Sequence, residues 1–380
     1  MSSLYVHIPF CETKCVYCDF YSLEHQAGFD DFLTALFKEI ELYREYGRRE
    51  ECSTIFLGGG TPSLLSPVQL GKIFAALNGT FNIEANAEIT LEANPGTVDR
   101  EKLEAYRSLG VNRLSFGVQS FRDDDLEFLS RIHDSVAAFE AVRVAREAGF
   151  DNVSIDLIYS LPGQTRERWK ENLRIAVDLA PDHISAYSLI VEDHTPLARM
   201  VRTGLVTPNP VDAEAELYEC TMEYLGESGY EQYEVSNYAK PGRRSRHNMA
   251  YWSHQNYLGF GPSSHSFWRD PSWSDARRWW NIANLKIYCE RLKNGKLAVA
   301  SEEQLASQHL INERIFLGLR SDGLHLKRAE QDFRFLFHER QHALFAELRN
   351  KGLAVLDEGA LRLTQKGYLL CDEIAERLFL

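Results

Sequence analysis

The sequence predicts an α/β fold: a partial (β/α)6 barrel, TIM-like, followed by a small C-terminal α+β module of winged-helix type. Three observations point there. Six short runs of strand-forming residues alternate with amphipathic helical runs through the first half of the chain, the pattern of βαβ units and a parallel sheet. With 380 residues, 44% of them hydrophobic, the chain can bury one large core and a smaller one. Residues suited to chemistry fall where strands end and loops begin, as in barrels whose sites collect at one rim.

The elements follow in order. Leu4 to Ile8 reads as a strand stopped by Pro9, with a cysteine-rich loop directly after it. Asp30 to Tyr46 carries Phe32, Leu33, Leu36, Ile40 and Tyr43 at helical spacing. Ser53 to Leu57 is the second strand, closed by Gly58-Gly59-Gly60-Thr61-Pro62, and Pro67 to Leu77 a helix with Ser66 as N-cap. Strand three is Glu88 to Ala93, before Asn94-Pro95-Gly96 and a helix from Asp99 to Leu109. Arg113 to Val118, Asn152 to Ile158 and His183 to Leu189 are strands four to six; helices Ser135 to Ala148 and Arg166 to Leu179 stand between them. Val211 to Gly226 is helical, whereas 230 to 300, rich in Tyr, Trp, Arg and Gly, shows no clean period. From Ser301 the chain reads as helices, then a hairpin (Leu353 to Leu356, Glu358-Gly359, Leu361 to Leu363) and a last helix from Gln365. The expected units are a barrel domain over 1–235, a connecting region over 236–300 and the winged-helix-like module over 301–380.

Composition excludes several classes. A net charge of −13 disfavours nucleic acid as a partner, and the module at the C-terminus has no basic excess to suggest otherwise. Met1 to Phe10 lacks the charge and apolar run of a signal peptide, and no apolar stretch reaches the ~18 residues of a membrane span. Of seven cysteines three are clustered, while Cys52, Cys220, Cys289 and Cys371 are scattered. That is the usage of a reduced, cytoplasmic protein, not of a disulfide framework.

The clustered three, Cys11, Cys15 and Cys18, have C-x3-C-x2-C spacing. A short loop of this kind can turn three thiolates toward one face of an iron–sulfur cluster. A [4Fe–4S] cluster so held keeps one iron without a protein ligand, open to a chelating small molecule. The plain alternatives are buried thiols or a zinc site, for which His7 and His25 are the nearest fourth ligands.

The cysteine spacing with the aromatic Phe20 resembles the radical S-adenosylmethionine (SAM) superfamily, and Gly59-Gly60-Thr61-Pro62 resembles its GGTP motif. Glycines there would let the backbone approach the methionine end of SAM. A closer resemblance is to the family of oxygen-independent coproporphyrinogen oxidase and its relatives. It is carried by Tyr5-Val6-His7-Ile8-Pro9-Phe10-Cys11, Phe116-Gly117-Val118-Gln119-Ser120-Phe121, Arg131-Ile132-His133, and Asp156-Leu157-Ile158-Tyr159 with Leu161-Pro162-Gly163. The resemblance implies a radical SAM core in which Cys11, Cys15 and Cys18 hold the cluster. Tyr5, Tyr17, Gly60, Thr61, Glu92, Gln119, Arg131 and Asp156 would contact SAM, the carboxylates at the ribose hydroxyls and Arg131 at the SAM carboxylate.

Two features separate the chain from the oxidase itself. Phe20 stands where the oxidase motif continues to a fourth cysteine, and the cysteine loop begins so early that the oxidase's longer N-terminal segment is expected to be missing. A third feature points to a different branch. His247-Asn248-Met249-Ala250-Tyr251-Trp252 resembles the HNxxYW motif of the oxidase-like relatives called HemW, regarded as heme chaperones, and Gly259 to Ser266 with Arg278-Trp279-Trp280-Asn281 looks like the same branch. In that reading the partners are heme and a heme-acceptor protein, with room for a membrane-associated acceptor and for a homodimer. His247 is the candidate heme ligand, and Arg243, Arg244 and Arg246 are candidates for the propionates. The bland reading of His247 is a hydrogen-bonded turn residue. The rival functions are an oxygen-independent coproporphyrinogen III oxidase and, further off, a radical SAM enzyme of RNA modification.

Overall fold

The computed structural model describes residues 1–24 and 27–380, so His25 lies outside the described residues. Six parallel strands stand side by side in chain order: β1 (Ser2–Ile8), β2 (Cys52–Gly59), β3 (Ile83–Ala93), β4 (Arg113–Gln119), β5 (Val153–Tyr159) and β6 (His183–Ser188). Their alternation decides the two faces. Leu4, Val6, Ile8, Leu57, Leu91, Leu114, Ile155 and Ile184 are buried in the core shared with the outer helices. Tyr5, His7, Thr54, Phe56, Glu92, Ser115 and Asp156, one position out of phase, face the other way, into the concave side. Four of the outer helices start at built caps. Ser66 and Gln69 form a capping box, and Asp99, Asp134 and Thr165 each accept an N–H of the first turn.

The barrel is open, and the sheet runs on past both edges. At one edge β8 (Asn237–Ala239) pairs β6, and β7 (Glu231–Gln232) pairs β8. At the other, β9 (Asn256–Phe260) lies parallel to β1, followed by β10 (His265–Arg269), β11 (Asp275–Asn281) and β12 (Val299–Ala306), for twelve strands in all. The stretch without clean period therefore contains five strands of the main sheet. The helical reading from Ser301 is corrected as well: residues up to Ala306 are an edge strand. Glu302 and Glu303 are good helix formers. Here, however, they pair across the ladder with Arg277 and Arg278, which fixes the segment as a strand.

The C-terminal module carries its own core, with Leu310, Ile315, Leu319, Leu348, Leu361, Ile374 and Leu378. Its wing, β14 (Ala354–Asp357) and β15 (Ala360–Leu363), has a third short strand, β13 (Leu324–His325), that the sequence reading did not include. Phe267, Trp273, Ala276 and Leu305 of the sheet extension belong to the same apolar cluster and join the module to the barrel.

Candidate functional site

The cysteine loop leaves the end of β1 and is pinned at both ends. The Cys11 N–H donates to the Leu23 carbonyl and the Leu23 N–H to the Pro9 carbonyl, while the Cys18 N–H closes a turn on the Cys15 carbonyl. All three thiols are free; Cys15 is buried and its two partners are half-buried. The glycine turn after β2 lies against this loop. The Gly60 N–H donates to the Ile8 carbonyl and the Thr61 N–H to the Phe10 carbonyl. A Cβ at Gly60 would come within 2.5 Å of the Phe10 carbonyl oxygen, so the close approach requires glycine. The Thr61 hydroxyl reaches the Cys11 sulfur at 3.6 Å.

Arg131, from the segment between the short helix Asp123–Phe128 and the helix Ser135–Glu147, joins the cysteines to the strand ends. Its Nη1 donates to the Cys15 sulfur at 3.4 Å and its Nη2 to the Gly117 carbonyl at 2.6 Å, while Nε is buried without a partner. Gln119 ends the same strand with φ of 69°, and its amide lies over Gly117 beside the guanidinium. Two carboxylates complete the rim. Glu92, at the end of β3, accepts the Gly59 N–H at 3.2 Å. Burial and the neighbouring charge of Asp156 push its carboxyl up to about 8, against the pull of that hydrogen bond. Asp156 accepts from the Ser115 hydroxyl at 3.2 Å and is also raised by burial. Burial followed by the Glu92 charge raises the Tyr5 phenol, which donates to His7 Nδ1 at 3.1 Å. Tyr17 is raised by burial, with Arg131 beside it opposing. Eight residues expected to serve SAM thus converge with the three cysteines on one mouth.

Two histidines also shape this rim; the sequence offered His7 only as a candidate zinc ligand and did not single out His133. His7 Nε2 donates to the Tyr21 carbonyl at 2.8 Å, tying the far limb of the cysteine loop to β1. A carbonyl can only accept, so Nε2 carries the proton and Nδ1 takes the Tyr5 hydroxyl. Both nitrogens are then used, which removes His7 as a zinc ligand. His133 bridges the Val118 carbonyl and Asn94 at 3.1 Å each, holding the loop that carries Arg131. Both lie inside stretches that resemble the oxidase family, the one signal that could have found them.

His247 is elsewhere. The helix Arg246–Trp252 packs on the concave face of β1, β2 and β9, toward the starts of the strands. His247 is 1% exposed, stacks on Phe56 at 5.0 Å, and has both nitrogens engaged, by Thr54 at 2.7 Å and Tyr251 at 2.9 Å. Burial, with Arg113 nearby, lowers its pKa to about 3, so the ring is neutral. The structure does not bring His247 to the mouth. The three arginines beside it are occupied too: Arg243 lies near Asp151 and Asp182, Arg244 pairs with Asp322, and Arg246 with Glu84.

The comparisons agree with this geometry. The family model of the radical SAM superfamily matches residues 5–176, and that of the HemN C-terminal domain matches residues 305–370. An open parallel barrel with three thiols at its mouth defines the class as radical SAM. The chain is 37% identical to "Heme chaperone HemW" of Bacillus subtilis (strain 168) over 98% of each chain, and 40% identical to the protein of the same name from Escherichia coli (strain K12) over 69% of each. Among solved structures, coproporphyrinogen III oxidase (HemN) from Escherichia coli, described as a radical SAM enzyme, superposes with a TM-score of 0.84 at 27% identity, covering 100% of this chain and 90% of that one. This chain belongs to the HemW family.

Proposed function

We propose that the chain is a heme chaperone that binds a [4Fe–4S] cluster, SAM and heme, and passes heme to an acceptor protein. The observation that carries the cofactor part is the mouth itself, where three free thiols meet Arg131, Thr61 and two adjacent carboxylates. The residues present fit both groups. Cys11, Cys15 and Cys18 would hold the cluster, and the buried, unpartnered Nε of Arg131 leaves a donor for an anionic ligand. Tyr5, Tyr17, Gly60, Thr61, Glu92, Gln119, Arg131 and Asp156 would line SAM. When bound and reduced, a cluster of this class supplies an electron for SAM cleavage.

The chain's own residues have simpler tasks. Gly60 offers backbone without a Cβ, Arg131 orients, and Glu92 and Asp156 present oxygens to hydroxyls. Heme ligation by His247 would require Tyr251 or Thr54 to release a ring nitrogen. A membrane-associated acceptor, a homodimer and a cytoplasmic setting belong to the same proposal, as do the units 1–235, 236–300 and 301–380. Among the described residues no helix is long and apolar enough to cross a membrane.

Likeness to HemN favours one second reading, oxidative decarboxylation of coproporphyrinogen III. The aromatic Phe20 in place of a fourth cysteine speaks against it. Two assays decide. Heme-loaded, cluster-reconstituted protein is mixed with apomyoglobin under anaerobic conditions, and appearance of the holomyoglobin spectrum is the expected result. The same protein is incubated with coproporphyrinogen III, SAM and dithionite, and accumulation of protoporphyrinogen would replace the chaperone reading with the oxidase.

A further inference from the structure

We propose that Arg113, on the floor of the barrel, is a positioning residue of the SAM site: its guanidinium is the counter-charge of Glu92 and Asp156, drawing both toward the carboxylate form that accepts ribose hydroxyls. The inference rests on the reading that these two carboxyls face SAM, and adds a residue that acts on them from behind.

Strand register places Arg113 beneath the rim. It opens β4, where Leu114, Phe116 and Val118 are buried in the core under the outer helices, so Arg113, Ser115 and Gly117 face the concave side. Ser115 is opposite Glu92 and Gly117 opposite Asp156, and the Ser115 hydroxyl donates to Asp156. Arg113, opposite Thr90, stands two residues before Ser115, about 7 Å further from the mouth. Its side chain is 2% exposed. Its Nε is buried without a partner, and among the described residues the guanidinium forms no ion pair within 4.0 Å.

A guanidinium stays charged at any ordinary pH, and burying it is costly unless opposite charge answers it. Most neighbours cannot. Glu88, on the same face of β3, spends its two carboxylate oxygens on the Arg246 and His247 N–H groups. The His183 ring bonds Ser154 and Tyr233, and the His247 ring bonds Thr54 and Tyr251. Burial, then the Arg113 charge, lowers both imidazoles, so they are neutral. Burial raises the Tyr233 phenol, which keeps its proton. Glu92 and Asp156 remain.

Burial raises both carboxyls, and the Arg113 charge opposes it in each. Glu92 has the Gly59 N–H and Arg113 on its side; Asp156 has Ser185, Arg113, Ser115 and, from the mouth, Arg131. The remaining titratable neighbours are phenols raised by burial, Tyr5 and Tyr251 toward Glu92 and Tyr187 toward Asp156. Arg113 is thus the cation that faces Glu92, and it shares Asp156 with Arg131. A protonated carboxyl keeps an O–H where a ribose hydroxyl needs an acceptor. Arg113 therefore sets the pH above which the pair takes up SAM.

The test measures SAM binding to the cluster-reconstituted full chain by anaerobic equilibrium dialysis from about pH 6 to 9. Wild type is compared with Arg113→Met, Arg113→Gln, Arg113→Lys and Glu92→Gln, with iron and sulfide content taken on the same samples. Wild-type affinity is expected to rise with pH as the rim carboxyls ionise. In Arg113→Met the rise is displaced upward by about one pH unit, which makes the SAM Kd about tenfold weaker at neutral pH and brings it within about twofold of wild type at the alkaline end. Arg113→Gln, neutral but still able to hydrogen-bond, gives the same displacement where the Met variant fails to hold its cluster. Arg113 has no paired fork to lose, so Arg113→Lys is expected to keep the wild-type profile. Glu92→Gln is expected to weaken SAM binding and flatten the profile. A Kd weakened equally at every pH in the neutral variants would make Arg113 a structural residue only and overturn the proposal, as would wild-type affinity and profile in both. Wild-type SAM binding by Glu92→Gln at every pH would instead remove Glu92 from the SAM site, and with it the reading on which the proposal stands.

Discussion

Arg131 and His247 show how differently two polar side chains of similar promise are used. Arg131 spans a thiol and a strand-end carbonyl with one planar fork and keeps a third donor unpartnered. A lysine has a point charge and no fork, so it cannot make both contacts while facing a ligand. Arg131→Lys is expected to weaken SAM binding about tenfold, ~1.4 kcal/mol, with iron and sulfide content near wild type. Unchanged SAM affinity in equilibrium dialysis would remove Arg131 from the SAM site. His247, in contrast, serves as a structural link. Its ring fastens the helix Arg246–Trp252 to β2 through Thr54 and Phe56. His247→Ala opens a cavity beside Phe56 and leaves the Thr54 and Tyr251 hydroxyls short of a partner. The expected loss is about 2–4 kcal/mol of stability, read by denaturant titration. Heme spectra of the folded variant are expected to match wild type. A lost Soret band at undiminished stability would restore His247 as the ligand.

At the scale of elements, the helix Arg246–Trp252 is held from its first turn. Ser245 accepts the Asn248 N–H, and the Glu88 carboxylate accepts the Arg246 and His247 N–H groups at 3.0 Å each. Ser245→Ala is expected to cost about 1 kcal/mol, and Glu88→Ala about 1.5–3 kcal/mol because a charged acceptor to buried donors is lost. Thermal unfolding ranks the two, and the reverse order would mean that the hydroxyl cap outweighs the carboxylate. The same elements mark what could be read before the structure. β1 to β6 and their helices were legible because each carries its own period, and four of the helices have a cap within three residues. The rim residues were legible because each follows a strand. β9 was not, since its partner β1 lies some 250 positions away and its pattern is broken by Gly259. β12 was misread because Ser301 to Ala306 has helix-forming composition, and only the ladder to β11 makes it a strand.

The largest scale is set by one carboxyl. Glu39, on the first outer helix (Phe29–Leu42), is fully buried and accepts from the Gly261 N–H at 2.8 Å, the Asn281 amide at 2.6 Å and the Tyr288 hydroxyl at 2.6 Å. Those three partners belong to the loop after β9, the end of β11 and the helix Leu285–Lys293. The barrel's first helix is thereby joined to the sheet extension. Burial pushes the Glu39 carboxyl up to about 7, with the three hydrogen bonds opposing. Its folded-state pKa exceeds the unfolded value of about 4.5, so folding favours the protonated form. Its contribution is full below pH ~4.5 and is lost as pH rises through 7. A shift of this size corresponds to at most about 3.4 kcal/mol. Glu234, raised to about 7 by burial, and Glu92, at about 8, act in the same direction. Wild-type stability is therefore expected to decline between about pH 4.5 and 8, from the unfolded carboxyl value to the highest of these folded-state values. Glu39→Gln keeps an acceptor for Gly261 and Tyr288 but cannot ionise, so its stability is expected to fall less steeply over the same range. Urea titrations of both proteins at each pH measure the slopes. Equal slopes would mean that Glu39 is ionised throughout, and that the junction between barrel and extension is held by a charge instead of a proton.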